Sequence, residues 1–248
     1  MDYADVIAHY QAGQPVQAVI IGNSVSCGYN ADGAPIIKSI SQPNGKLKVS
    51  ERESDEAPGA PTMLRAFLRA KNPYSRIINL CGDGWDTNDH LGISTPASSI
   101  NGQTDSVDEV LAMKPYPDVV FLPLQINDAL HGLSLDTFVK NTDLIINRLR
   151  GAGIAVVMVK ENFARIPTYQ QFVAEVDHIA ERHGLAVIDS YTPFGDGKGV
   201  LADYAHPNSA GHELIFEQYK KWFSNDVVRA FSGVPVNVKT SIGKVANN

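Results

Sequence analysis

The chain has 248 residues, 44% hydrophobic and 19% charged, with a formal net charge of −6. That length and balance suit one globular α/β domain. The acidic balance argues against a nucleic-acid footprint, which needs clustered Lys and Arg, and no run approaches the ~18 apolar residues of a membrane span.

Val16–Ile21 is a Val- and Ile-rich run that reads as a buried strand. It leads into Gly22-Asn23-Ser24-Val25-Ser26-Cys27-Gly28, a glycine-flanked turn that would expose the Ser24 hydroxyl. Residues 29–58 form a polar insertion in which Ile36–Ile40 and Lys46–Val49, about a turn at Asn44-Gly45, predict a hairpin. Loops of this length are usually functional or disordered, so substrate recognition and a merely solvated hairpin stand level. Met63, Leu64, Phe67 and Leu68 mark a helix, and Arg76–Leu80 a second strand, ending in Asn79-Leu80-Cys81-Gly82-Asp83-Gly84.

Asp118–Leu124 is the third strand, followed by Gln125-Ile126-Asn127-Asp128. Ser134 is an N-cap candidate for a helix carrying Leu135, Phe138, Ile145 and Leu149. Ile154–Val159 and Ala186–Ile188 complete five strands, and Pro167 is placed to open the helix between them. Asp203-Tyr204-Ala205-His206-Pro207-Asn208 precedes a last helix with Ile215, Tyr219 and Trp222. A carboxylate three residues ahead of a histidine can hold one ring nitrogen and leave the other free as a general base. The alternation predicts a doubly wound α/β sandwich on a five-stranded parallel sheet, spanning residues 1–231. Residues 232–248 read as a polar tail, an edge segment or a linker. Ligands of such sheets bind beyond the carboxyl ends of the strands, where Ser24, Gly84 and Asn127 all fall.

Gly22-Asn23-Ser24, Asn79 to Gly84, Gln125 to Asp128 and Asp203-x-x-His206, in this order, resemble the SGNH hydrolases, also called the GDSL esterase/lipase family, over roughly residues 14–224. The resemblance implies a flavodoxin-like three-layer α/β/α sandwich and ester hydrolysis through a serine, with no cofactor. By position it makes Ser24 the nucleophile, His206 the base and Asp203 its orienting carboxylate. Gly84 and Asn127 become oxyanion donors beside the Ser24 N–H. Two positions depart from the pattern, which usually has Asp at Asn23 and Gly at Gln125. An isosteric amide at 23 should still support the turn, while a long side chain at 125 would narrow the pocket or touch substrate.

The expected activity is O-deacetylation of a carbohydrate, since the loops are polar and no apolar lid segment is found; the substrate is then a small-molecule or glycan ester. Trp85 and Tyr204 are placed to stack on a sugar, with core packing an equal reading for Trp85. A lysophospholipase or thioesterase is the alternative. From other classes come a flavodoxin-like phosphate-binding module and a non-catalytic carbohydrate-binding relative. The Asp83, Asp86, Asp89, His90 cluster has the spacing of neither a calcium loop nor a zinc signature, so no metal is expected. His9, His178 and His183 should be solvated, His131 on the surface, and His212 packed or capping. The favoured state of Cys27 and Cys81 is two free thiols, although both follow strand ends and could pair. The N-terminus lacks a signal core, so a cytoplasmic location is expected, or an extracellular or surface one for a fragment. Oligomeric state is not legible.

Overall fold

A computed structural model describes residues 2–29, 39–41, 47–49, 59–93, 105–225 and 229–230. The strands are β1 (Gln17–Asn23), β2 (Ser39–Ser41), β3 (Leu47–Val49), β4 (Arg76–Gly82), β5 (Val119–Leu122), β6 (Ala155–Lys160), β7 (Ala186–Asp189) and β8 (Arg229–Ala230). The helices are α1 (Tyr3–Gln11), α2 (Ala60–Lys71), α3 (Thr87–His90), α4 (Ser106–Ala112), α5 (Gln125–Leu130), α6 (Leu135–Gly151), α7 (Tyr169–His183) and α8 (Ser209–Ser224).

Five strands run parallel in the order β4-β1-β5-β6-β7, and the two-residue β8 adds antiparallel at the β7 edge. This is the flavodoxin-like order, in which the chain winds first to one side of β1 and then to the other. Right-handed crossovers therefore put α2 on one face, where α1 and α8 join it, and α4, α6 and α7 on the opposite face. Every residue of β5 and β6 is buried, as strands covered on both sides require. Phe121 of β5 meets Tyr219, Trp222 and Phe223 of α8 edge-on at 5.1–6.1 Å, a major anchor of the first helical layer.

All five expected strands are present. β5 stops at Leu122 rather than Leu124 because Pro123 has no N–H for the ladder. Ser134 caps α6 by accepting the Thr137 N–H at 3.1 Å, and Asn208 caps α8 by accepting that of Gly211 at 3.0 Å. Pro167 lies just outside α7, whose N-cap is Thr168. Helices α1, α3, α4 and α5 carry too few turns for periodicity to expose them. The expected hairpin is represented by β2 and β3, antiparallel with Ile40 opposite Lys48; its turn, most of the 29–58 insertion and the 232–248 tail lie outside the described residues.

The expectation of free thiols is overturned. Cys27 and Cys81 form a disulfide with Cα atoms 5.4 Å apart. The β1–β4 register sets Gly22 beside Cys81, and the chain after β1 turns back so that the Cys27 N–H reaches the Asn23 carbonyl at 3.0 Å. The bridge therefore clips the Ser24 turn to the end of β4. It closes a loop of 54 residues in sequence, which on chain-entropy grounds stabilises the fold by about 4 kcal/mol. Reductant, or the paired Cys27→Ser/Cys81→Ser change, should lower the urea midpoint accordingly; an unchanged midpoint with both thiols free to alkylate would refute the bridge's contribution.

Candidate active site

Ser24 is the first residue beyond β1, and its Oγ lies 2.9 Å from His206 Nε2. The other ring nitrogen, Nδ1, lies 2.7 Å from Asp203 Oδ2. A carboxylate only accepts, so the proton of the neutral imidazole sits on Nδ1 and the Nε2 lone pair faces the serine hydroxyl. Asp203 Oδ1 meanwhile accepts the N–H groups of Ala205 at 2.8 Å and His206 at 2.7 Å, so the one carboxylate shapes the loop and aims the ring. Burial alone would raise the Asp203 pKa, but the His206 and Ala205 N–H bonds and the imidazole outweigh it, holding the carboxyl below its ordinary range. The loop is fastened from behind: Asn162 Nδ2 donates to the Ala205 carbonyl at 2.8 Å and the Arg165 N–H to that of Tyr204 at 2.7 Å.

The turn carrying Ser24 is equally tied. Asn23 Oδ1 accepts the Val25 N–H at 3.0 Å, and Asn79 Nδ2 donates to the Ser26 carbonyl at 2.6 Å. Asn23 thus supports the turn, as expected of its position. Gly84 occupies the third position of a turn closed by the Trp85 N–H to the Gly82 carbonyl, with φ at +73°, a conformation that favours glycine. Two residues earlier, a Cβ on Gly82 would stand 1.9 Å from the Trp85 ring, so this glycine exists to let the indole lie on the strand end. Asn127, in the short helix α5, gives one amide hydrogen to the Trp85 carbonyl at 2.8 Å and, among the described residues, keeps the second.

The three expected substrate contacts divide. Tyr204 is 45% exposed, beside His206 at 6.4 Å. Trp85 is 6% exposed and meets His90 edge-on, which is the packing reading of that residue. Gln125 corrects the expectation of a pocket-lining side chain. It is fully buried, its Nε2 donating to the Val159 carbonyl at 3.0 Å and its Oε1 accepting the Glu161 N–H at 2.9 Å, because α5 begins immediately beyond the sheet. Tyr29, not singled out by any motif, places its ring 4.4 Å from that of His206 and is 39% exposed. Buried Glu161 and Asn162 also border the site, and residues at the end of an ordinary strand carry no local signal in sequence.

Among the remaining histidines, His212 is fully buried, its Nδ1 accepting the Ala60 N–H at 3.3 Å. His183 is not solvated as expected but bonds Asp143 at 2.7 Å, and His131 is drawn in from the surface to an ion pair with Asp86 at 3.0 Å. His90 is buried with Nδ1 3.0 Å from Ser106 Oγ. Among the described residues no group of three His, Cys, Asp or Glu side chains is arranged to hold a metal ion.

Residues 20–214 match the GDSL-like lipase/acylhydrolase family, nearly four-fifths of the chain. The chain belongs to this family. It is accordingly a carboxylic ester hydrolase. No curated protein matches it in sequence. Solved structures share the fold: a member of the lipolytic G-D-S-L family from Veillonella parvula is 18% identical with a TM-score of 0.59, over 84% of this chain and 98% of the other. An acetyl xylan esterase from Geobacillus stearothermophilus, also 18% identical, has a TM-score of 0.60 over 87% and 97%. TesA, 17% identical, has a TM-score of 0.62 over 85% and 99%.

The Asp86–His131 pair braces the loop after β4, since Asp86 also caps α3 through the Asn88 N–H at 2.9 Å. The Asp86 hydrogen bond raises the His131 pKa above 6.5; burial alone would raise that of Asp86, but its bonds to His131, Asp89 and Asn88 hold the carboxyl below its ordinary range. The raised histidine stabilises the fold fully below the unfolded value of 6.5 and loses that contribution as pH rises through the folded value. Urea unfolding of wild type and His131→Gln should therefore differ more at pH 6 than at pH 9; a constant difference would contradict the pair.

Proposed function

We propose that the protein is a serine esterase that works through an acyl-enzyme, and that its preferred reaction is O-deacetylation of a carbohydrate. The observation that carries the mechanism is the unbroken relay from Asp203 Oδ2 through His206 to Ser24 Oγ, at 2.7 and 2.9 Å. In this reading Ser24 attacks the ester carbonyl and His206 Nε2 takes the hydroxyl proton. Asp203 stabilises the imidazolium that forms, and His206 then protonates the departing alcohol. Water, activated by the same nitrogen, releases the acid. The developing oxyanion is received by the Ser24 and Gly84 N–H groups and the second amide hydrogen of Asn127. All three are neutral donors, whose individual loss typically costs ~10²–10³ in turnover.

Two features support a sugar as the alcohol. Tyr29 and Tyr204 are half-exposed rings beside His206, suited to stack on the apolar face of a pyranose. A structural relative is an acetyl xylan esterase.

Hydrolysis of p-nitrophenyl acetate, butyrate and octanoate, with acetylated xylo-oligosaccharides in parallel, tests the assignment. Ser24→Ala should lose roughly 10⁶-fold in kcat and Asp203→Ala less, roughly 10⁴-fold. Turnover should be greatest on acetate. A maximum at octanoate would move the substrate to lipids, and an active Ser24→Ala would end the acyl-enzyme reading. Tyr204→Ala, whose ring stands farther from His206, should raise KM for the oligosaccharide more than it changes p-nitrophenyl acetate hydrolysis; an equal effect on both substrates would count against stacking on a sugar.

A further inference from the structure

Glu161, just past the end of β6, is a carboxylate buried at the base of the site with 2% of its surface exposed. Its oxygens meet three donors. Oε1 accepts from Asn23 Nδ2 at 2.7 Å, and Oε2 accepts the N–H groups of Gln125 at 2.6 Å and Ile126 at 2.8 Å. The first donor is the neighbour of Ser24; the other two open α5, the helix that carries Asn127. Among the described residues none of the ion pairs includes Glu161. The buried groups that feel its charge are Asp128, Tyr169 and Tyr219.

We propose that Glu161 is a positioning residue that locks the Ser24 turn to the Asn127 helix, holding nucleophile and oxyanion donor in register. The inference rests on the reading of Ser24 as nucleophile. A buried carboxylate is costly unless its lone pairs are met, and here three N–H groups do so. Burial outweighs the opposing bonds to Ile126, Asn23 and Gln125, so the Glu161 carboxyl is pushed up to about 7. The donor pattern also fixes the partner. Asn23 must spend Oδ1 on the Val25 N–H, so its Nδ2 has to face an acceptor. Residue 161 must supply acceptors on both sides, which glutamine cannot do.

The test is a swap of donor and acceptor. In Glu161→Gln, the amide oxygen can keep the two backbone N–H groups, but its Nε2 then confronts Asn23 Nδ2, donor against donor. In Asn23→Asp, two carboxylates meet. In the paired variant Asn23→Asp/Glu161→Gln, the new carboxylate at position 23 accepts from both Val25 and the amide at position 161, and the lock is remade with its polarity reversed.

On p-nitrophenyl acetate each single variant should lose about 10–10²-fold in kcat with KM within about threefold of wild type, as expected for a misplacement of reacting groups rather than of binding. The paired variant should recover to within about fivefold, a coupling that independent effects cannot produce. Glu161→Gln with wild-type kcat overturns the proposal. So does a paired variant that fails to recover, folded or unfolded. Ser24→Ala, run alongside, separates the two ideas: if it kept activity the nucleophile reading would fall, whereas a dead Ser24→Ala beside an unaffected Glu161→Gln would sink the lock alone.

Discussion

Parallel strands all end at the same edge of their sheet, and that constraint assembles this site. Ser24 and His206 are 182 residues apart in sequence, yet they meet because β1 and the loop beyond β7 open on one rim. The loop after β4 brings Gly84 to the same rim, and the helix after β5 brings Asn127. The scaffold behind them is rigid because the central strands are buried on both faces. Displacing any one strand end would cost packing on two helical layers at once.

Rigidity of the strands is not enough, since every functional group stands on a turn or a short helix beyond them. Each of those segments has its own brace. The disulfide and Asn79 hold the Ser24 turn against β4. Asp128 accepts from the Thr87 hydroxyl and N–H, and Asp86 pairs with His131, so the loop after β4 is pinned to α5. Asn162 and Arg165 hold the loop of Asp203 and His206 to the end of β6. Apart from the disulfide and the exposed Arg165, these braces are polar and largely buried, a combination that specifies one geometry because each unpaired partner would be expensive.

The departures from the family pattern become one feature when seen in three dimensions. Asn23 and Gln125, apparently unrelated substitutions in sequence, both bond Glu161. An amide at position 23 offers a donor that a carboxylate lacks. The long side chain at 125 fills space against β6 and so never reaches the pocket.

Much of this was legible from residues alone. Runs such as Val16–Ile21 and Ile154–Val159 announce two-sided burial, and Ser134 and Asn208 announce helix starts, because both signals are local. Asp203-x-x-His206 is local too: three residues place a carboxylate within reach of an imidazole whatever the fold. Tertiary structure alone decided the pairing of Cys27 with Cys81, the burial of Gln125, the approach of Tyr29 to His206 and the convergence of three donors on Glu161. Each of these depends on strand register and layer packing, which bring together residues from 34 to 177 positions apart. Sequence by itself picked out the candidate groups for the chemistry; the packed sheet decided what each of them touches.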